Sequence, residues 1–82
     1  MIDCSHGNSE KDPLKQVEVV SCVIDQLRSG QHGIRALMLE SHLVAGRQEV
    51  TDRPLVYGQS VTDACLGFDQ TAELIRRLAE AV

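Results

Sequence analysis

Ile34-Arg35-Ala36-Leu37-Met38-Leu39-Glu40 is a nearly unbroken apolar run that ends on a carboxylate. It shows no polar alternation, and beside helices such runs are strands buried on both faces of a parallel sheet. The residues before it fit that setting. Asp12-Pro13 is a helix start, because Asp caps and Pro suits the first helical position. Leu14, Val17, Val20, Ile24 and Leu27 then recur at three- and four-residue intervals, and Ser29-Gly30 closes the helix. Upstream, Met1 to Cys4 is apolar apart from Asp3 and reads as the end of a strand, followed by turn residues Gly7-Asn8-Ser9.

Downstream, residues 41–67 are polar, carry Gly46, Pro54, Gly58 and Gly67, and show no convincing period. A loop this long in a small chain is usually functional. Asp69 is the predicted cap of a final helix with Leu74, Ile75, Leu78, Ala79 and Val82 on one face. The order strand, helix, strand, long loop, helix is two βα units of an α/β chain, the first helix supplying the crossover. Two parallel strands leave open edges and an uncovered face. Residues 1–82 therefore read as part of a larger α/β sheet or barrel, not as an independent domain.

Hydrophobic content of 43% argues against disorder, and 2% aromatic content leaves any core to Leu, Val, Ile and Ala. With net charge −4 and scattered basic residues, no nucleic-acid partner is expected. No apolar run reaches the roughly 18 residues of a membrane helix, so no membrane association is expected. The N-terminus lacks a signal-peptide pattern. Cys4, Cys22 and Cys65 are an odd count without CxxC spacing, expected as small buried hydrophobes in a reducing compartment, the cytoplasm.

His6, Glu40 and Asp63 are the candidate site. His6 and Glu40 follow successive strands, separated by about the 30 or more residues of one βα repeat, and Asp63 can fold back from the long loop. In barrels the C-terminal ends of strands carry the chemistry. One imidazole and two carboxylates suit a divalent metal, with Mn, Fe, Co and Zn all open, and such an ion can act as a Lewis acid or activate water. The alternative is a turn histidine, a solvated or capping glutamate and a turn aspartate. His32 and His42 read as surface and loop residues, Arg35 as structural, Arg47 and Arg53 as solvated loop charges. Cys65, without an evident base, reads as packed.

Three words are more specific than any spacing: Met1-Ile-Asp-Cys-Ser-His-Gly-Asn-Ser9, Leu39-Glu-Ser-His-Leu43 and Tyr57-Gly-Gln-Ser-Val-Thr-Asp-Ala-Cys-Leu-Gly67. Together, across essentially the whole chain, they resemble the C-terminal part of the type I alpha branch of 3-deoxy-D-arabino-heptulosonate 7-phosphate (DAHP) synthase. The resemblance implies a (β/α)8 TIM barrel of which this chain is the last two βα units. It implies a metal-dependent transferase of the shikimate pathway that condenses phosphoenolpyruvate with erythrose 4-phosphate and releases phosphate, acting as a homo-oligomer. By position His6, Glu40 and Asp63 look like three of the family's metal ligands, with His6 also catalytic and close to phosphoenolpyruvate.

There are departures. Phe68 stands where Trp is common. The family's fourth ligand is an upstream cysteine, and none of Cys4, Cys22 or Cys65 matches its motif. The substrate-binding Lys-Pro-Arg-Thr-Ser word is missing, and Met1 resembles an internal methionine of the strand. The expectation is a C-terminal fragment, inactive by itself. The alternative is a non-enzymatic metal-binding or oligomerising remnant of that barrel. A related phosphoenolpyruvate-dependent sugar-phosphate synthase is a third reading.

Overall fold

Asp12 accepts a hydrogen bond from Leu14 N–H through its side chain (3.0 Å) and so caps the longest element, a helix over Pro13–Arg28. In this computed structural model, which describes residues 1–30, 33–51 and 53–82, seven elements follow one another. They are β1 (Ile2–Asp3), α1 (His6–Ser9), α2 (Pro13–Arg28), β2 (Leu37–Met38), β3 (Val44–Arg47), β4 (Gln59–Ser60) and α3 (Phe68–Ala81). His32 lies outside the described residues.

β1 and β2 pair in parallel, Ile2 opposite Leu37 and Asp3 opposite Met38. Ile2 N–H donates to Ala36 C=O and Cys4 N–H to Met38 C=O, both at 2.9 Å. The predicted parallel pair with a helical crossover is therefore present, but the strands are shorter than the apolar run. The run is half-buried at best, and Arg35 and Ala36 are exposed. Among the described residues of the run, full burial on both faces is not found. The radius of gyration, 14.1 Å, exceeds the about 12 Å of a compact chain of this length.

The core is Cys4, Val20, Ile24, Leu66 and Leu74, with Ile2, Val17, Leu37, Leu39 and Leu78 packed against it. Several expectations need correction. Leu14 is exposed on α2, whereas Gln16 is buried on the same helix. Cys22 is exposed, while Cys4 and Cys65 are buried as expected. Gly7-Asn8-Ser9 belongs to the one-turn helix α1. Gly67, not Asp69, caps α3, its N–H donating to Gln70 Oε1 at 3.0 Å. On α3, Leu74 is buried and Leu78 and Ala81 pack on the core, but Ile75 and Ala79 face outward, as does Val82 just past the helix end.

The long loop also holds order that its sequence hid. β3 and β4 pair in parallel, Val44 opposite Gln59 and Arg47 opposite Ser60, with an irregularity between. Amide side chains stitch this region: Gln48 donates to Val56 C=O (2.8 Å) and Gln59 C=O (3.0 Å) and accepts from Val56 N–H (2.8 Å).

Candidate metal centre

The parallel pairing of β1 with β2 ends both strands at the same edge, and the chain leaves that edge through His6 and Glu40. His6 opens α1 with φ +49°, a left-handed backbone that costs a non-glycine residue about 1–2 kcal/mol. Such strain persists where surrounding bonds hold it, often at functional sites. Here Lys11 N–H donates to His6 C=O (2.9 Å), and Asn8 Nδ2 donates to Asp3 C=O (2.7 Å).

Glu40 is fixed through its backbone. Gln16 of α2 accepts from Glu40 N–H at 2.9 Å and donates to Glu40 C=O at 3.3 Å. Leu66 N–H donates to the same carbonyl at 2.9 Å, which ties the segment carrying Asp63 to the end of β2. Asp63 follows a tight turn after β4, in which Thr62 N–H donates to Ser60 Oγ at 3.1 Å. Beyond it, Cys65 and Gly46 exchange backbone hydrogen bonds of 3.1 and 2.8 Å.

These three anchors bring the predicted residues together. His6 Nε2 lies 2.7 Å from Glu40 Oε1 and 3.7 Å from Asp63 Oδ2. One ligand atom from each residue falls within 4.8 Å of the others, and all three side chains are half-buried. One neutral imidazole nitrogen and two carboxylate oxygens at this spacing fit a borderline divalent ion, while an oxygen-only set would favour Mg or Ca.

Asp3 and Ser5 are part of the same cluster and were not singled out in the sequence. Asp3 Oδ2 lies 3.0 Å from His6 Nδ1, and Ser5 Oγ lies 2.7 Å from Asp3 Oδ1 and 2.8 Å from His6 Nδ1. The hydrogen bond to Asp3, aided by the nearby Glu40 and Asp63 charges, raises the His6 pKa above its ordinary value. Hydrogen bonds from Ser5 and then His6 lower that of Asp3. The available signal was Asp3 itself, one carboxylate in an otherwise apolar strand end. Gln16 likewise falls on the helical stripe of Val20, Ile24 and Leu27, an amide where an apolar residue would be routine.

The remaining candidates stay apart. His42 is exposed, its Nδ1 accepting from Leu43 N–H at 2.9 Å. Arg47 pairs with Glu49 (2.7 Å) and donates to Thr62 C=O (2.8 Å), and Arg53 is exposed. Burial raises the Cys65 thiol pKa, against a nucleophilic role. Two apolar grooves, about 300 and 250 Å³, flank the strands at Ile2, Val19, Val23 and Ile34 and at Leu27, Leu37, Leu78 and Val82. Neither groove is lined by His6, Glu40 or Asp63.

Among the described residues, no helix is long and apolar enough to cross a membrane. The chain is 48% identical to the tyrosine-inhibited phospho-2-dehydro-3-deoxyheptonate aldolase of Schizosaccharomyces pombe, with all of this chain aligned to 23% of that protein. It is also 48% identical to the Phe-sensitive phospho-2-dehydro-3-deoxyheptonate aldolase of Escherichia coli K12, covering 24% of it. The solved phospho-2-dehydro-3-deoxyheptonate aldolase of Francisella tularensis superposes with a TM-score of 0.95 at 50% identity, over all of this chain and 24% of that one. The chain thus spans about a quarter of the length of these relatives. Residues 1–76 match the DAHP synthetase I family, and the chain belongs to that family.

Proposed function

We propose that this chain forms the metal-binding corner of a DAHP synthase, which condenses phosphoenolpyruvate with erythrose 4-phosphate. One carbon–carbon bond forms, one water is consumed and one phosphate is released. The observation that carries the reading is the convergence of His6 Nε2, Glu40 Oε1 and Asp63 Oδ2 from three separate segments. His6, Glu40 and Asp63 would hold a Mn, Fe, Co or Zn ion, and such an ion polarises the sugar-phosphate aldehyde as a Lewis acid.

What the chain itself does is hold groups in place. Gln16 and Leu66 fix the Glu40 backbone, and Asp3 holds the His6 ring, which we place beside phosphoenolpyruvate. We read residues 1–82 as the last two βα units of a (β/α)8 barrel, with β1 and β2 as neighbouring barrel strands. Their pairing and the position of His6 and Glu40 beyond the strand ends support this. In this reading further donors and the phosphate-gripping residues come from elsewhere in the barrel, and the 82 residues have no synthase turnover by themselves. In this reading the whole enzyme is cytoplasmic and homo-oligomeric.

The test is a chimera in which this chain replaces the equivalent segment of the Phe-sensitive Escherichia coli relative. Metal-dependent heptulosonate formation is expected. His6→Ala, Glu40→Ala and Asp63→Ala should each lower it by at least about 100-fold, since several kcal/mol of charge stabilisation goes with the ion. A folded chimera without turnover, or one indifferent to the three substitutions, would sink the proposal. The second reading, a metal-binding or self-associating remnant, is favoured by the exposed Ile75 on α3 and Val82 just past its end. Concentration-dependent oligomers that Ile75→Lys disperses would support it.

A further inference from the structure

The ring of His6 has carboxylates at both edges, so the position of its proton is not settled by the ring alone. Glu40 Oε1 faces Nε2 at 2.7 Å, and Asp3 Oδ2 faces Nδ1 at 3.0 Å. A cation can bind Nε2 only when that nitrogen offers a lone pair, which in a neutral ring requires the proton on Nδ1.

We propose that Asp3, backed by Ser5, is the positioning residue that keeps the proton on His6 Nδ1 and turns Nε2 toward Glu40 and Asp63. The inference rests on the metal reading above for its purpose but not for its geometry. Ser5 has one hydroxyl proton, and Asp3 Oδ1 at 2.7 Å is its best acceptor; Met38 Sδ, at 3.7 Å, is poorer. Once that proton is given to Asp3, the Ser5 oxygen faces His6 Nδ1 at 2.8 Å with only lone pairs. Two acceptors then converge on Nδ1, and a proton there satisfies both.

The opposite tautomer is worse on this side of the ring. It sets the Asp3 Oδ2 and Nδ1 lone pairs against each other at 3.0 Å, with no hydrogen between them. Ser5 N–H also donates to Asp3 Oδ1 at 2.9 Å, so the carboxylate is held from two sides. Ser5 is 1% exposed, which keeps water from substituting for its hydroxyl.

Asp3→Asn tests this, because the amide can donate to Nδ1 and favour the other tautomer at constant shape. Two readouts are needed: the His6 tautomer ratio from ¹⁵N–¹H long-range NMR of the metal-free, ¹⁵N-histidine-labelled chain at a pH above the raised His6 pKa, where the ring is neutral, and zinc affinity by calorimetry. The expected result is a ratio shifted toward Nε2–H and zinc affinity lower by about 10-fold or more. Ser5→Ala, with helical circular dichroism retained, should move both in the same direction by less, and it carries the test if Asp3→Asn unfolds. An unchanged ratio in both variants overturns the inference, even with weakened zinc binding, because Asp3 would then act only structurally. Zinc seated on Nδ1 overturns it too. A wild-type chain that binds no zinc would overturn the metal reading, while the tautomer ratio still decides the role of Asp3.

Discussion

Gln16 and Glu40 are joined twice: the buried Gln16 amide accepts from Glu40 N–H at 2.9 Å and donates to Glu40 C=O at 3.3 Å. The helix that packs the core therefore also sets the backbone of a candidate ligand. Gln16→Leu fills the space but leaves a half-buried N–H without its partner, costing about 1–3 kcal/mol. We expect a lower urea midpoint together with weaker zinc binding, although no donor atom is removed. Unchanged zinc affinity would show that Leu66 alone suffices to hold Glu40.

The pH response of the metal-free chain has a defined sign. His6 has its pKa raised, so its ion pairs stabilise fully below about 6.5, and that contribution is lost as pH rises through the raised folded value. Asp3 has its pKa lowered, so its contribution is present above about 3.8 and is lost as pH falls through the depressed value. Melting temperature should be highest between the two. Zinc affinity should run oppositely to the His6 term, rising with pH as Nε2 loses its proton. Calorimetric titrations at pH 6 and 8 check this, and equal affinities would contradict it.

Leu74 and Ile75 are neighbours on α3 with different surroundings: Leu74 is 3% exposed and Ile75 57%. Leu74→Ala should cost about 2–5 kcal/mol, the range for a buried leucine. Ile75→Ala should change stability by no more than about 0.5 kcal/mol in the same chain, as surface substitutions do. Denaturant midpoints of the two variants, measured side by side, decide whether α3 docks as described.

Gly58 has φ +81°, and a Cβ there would stand 2.8 Å from Leu43 Cβ. Gly58→Ala should therefore destabilise the β3–β4 region by about 1–2 kcal/mol from backbone strain, with the clash in addition. Hydrogen exchange should speed at Val44 N–H, which donates to Gly58 C=O. Protection equal to the wild type would show that the turn relaxes.

The parallel pair and its helical crossover were legible because each rests on a strong local signal, and the meeting of His6, Glu40 and Asp63 because their joint placement and three motif words point the same way. Asp12-Pro13 marks a helix start, and the apolar run marks a strand. β3 and β4 were not legible. They are short and held by Gln48 and Gln59 amide bonds, and such bonds leave no hydrophobic period. The outward face of α3 misled for a different reason. Ile75, Ala79 and Val82 have helical spacing with Leu74 and Leu78, and sequence spacing does not say which of two adjacent apolar stripes finds a partner. Asp3 was passed over because its importance lies in a contact with a residue three positions on, not in a motif of its own.

The backbone bond that joins the end of β2 to the segment after Asp63, from Leu66 N–H to Glu40 C=O, has a bearing on assembly. An ion held by His6, Glu40 and Asp63 would add a link among three stretches of chain already joined by backbone hydrogen bonds, Cys4 N–H to Met38 C=O and Leu66 N–H to Glu40 C=O among them. By mass action, any ligand that binds only the assembled arrangement stabilises it in proportion to the logarithm of its free concentration. Under the metal reading proposed above, divalent-ion supply would then help to decide whether these three segments stay together before any substrate arrives.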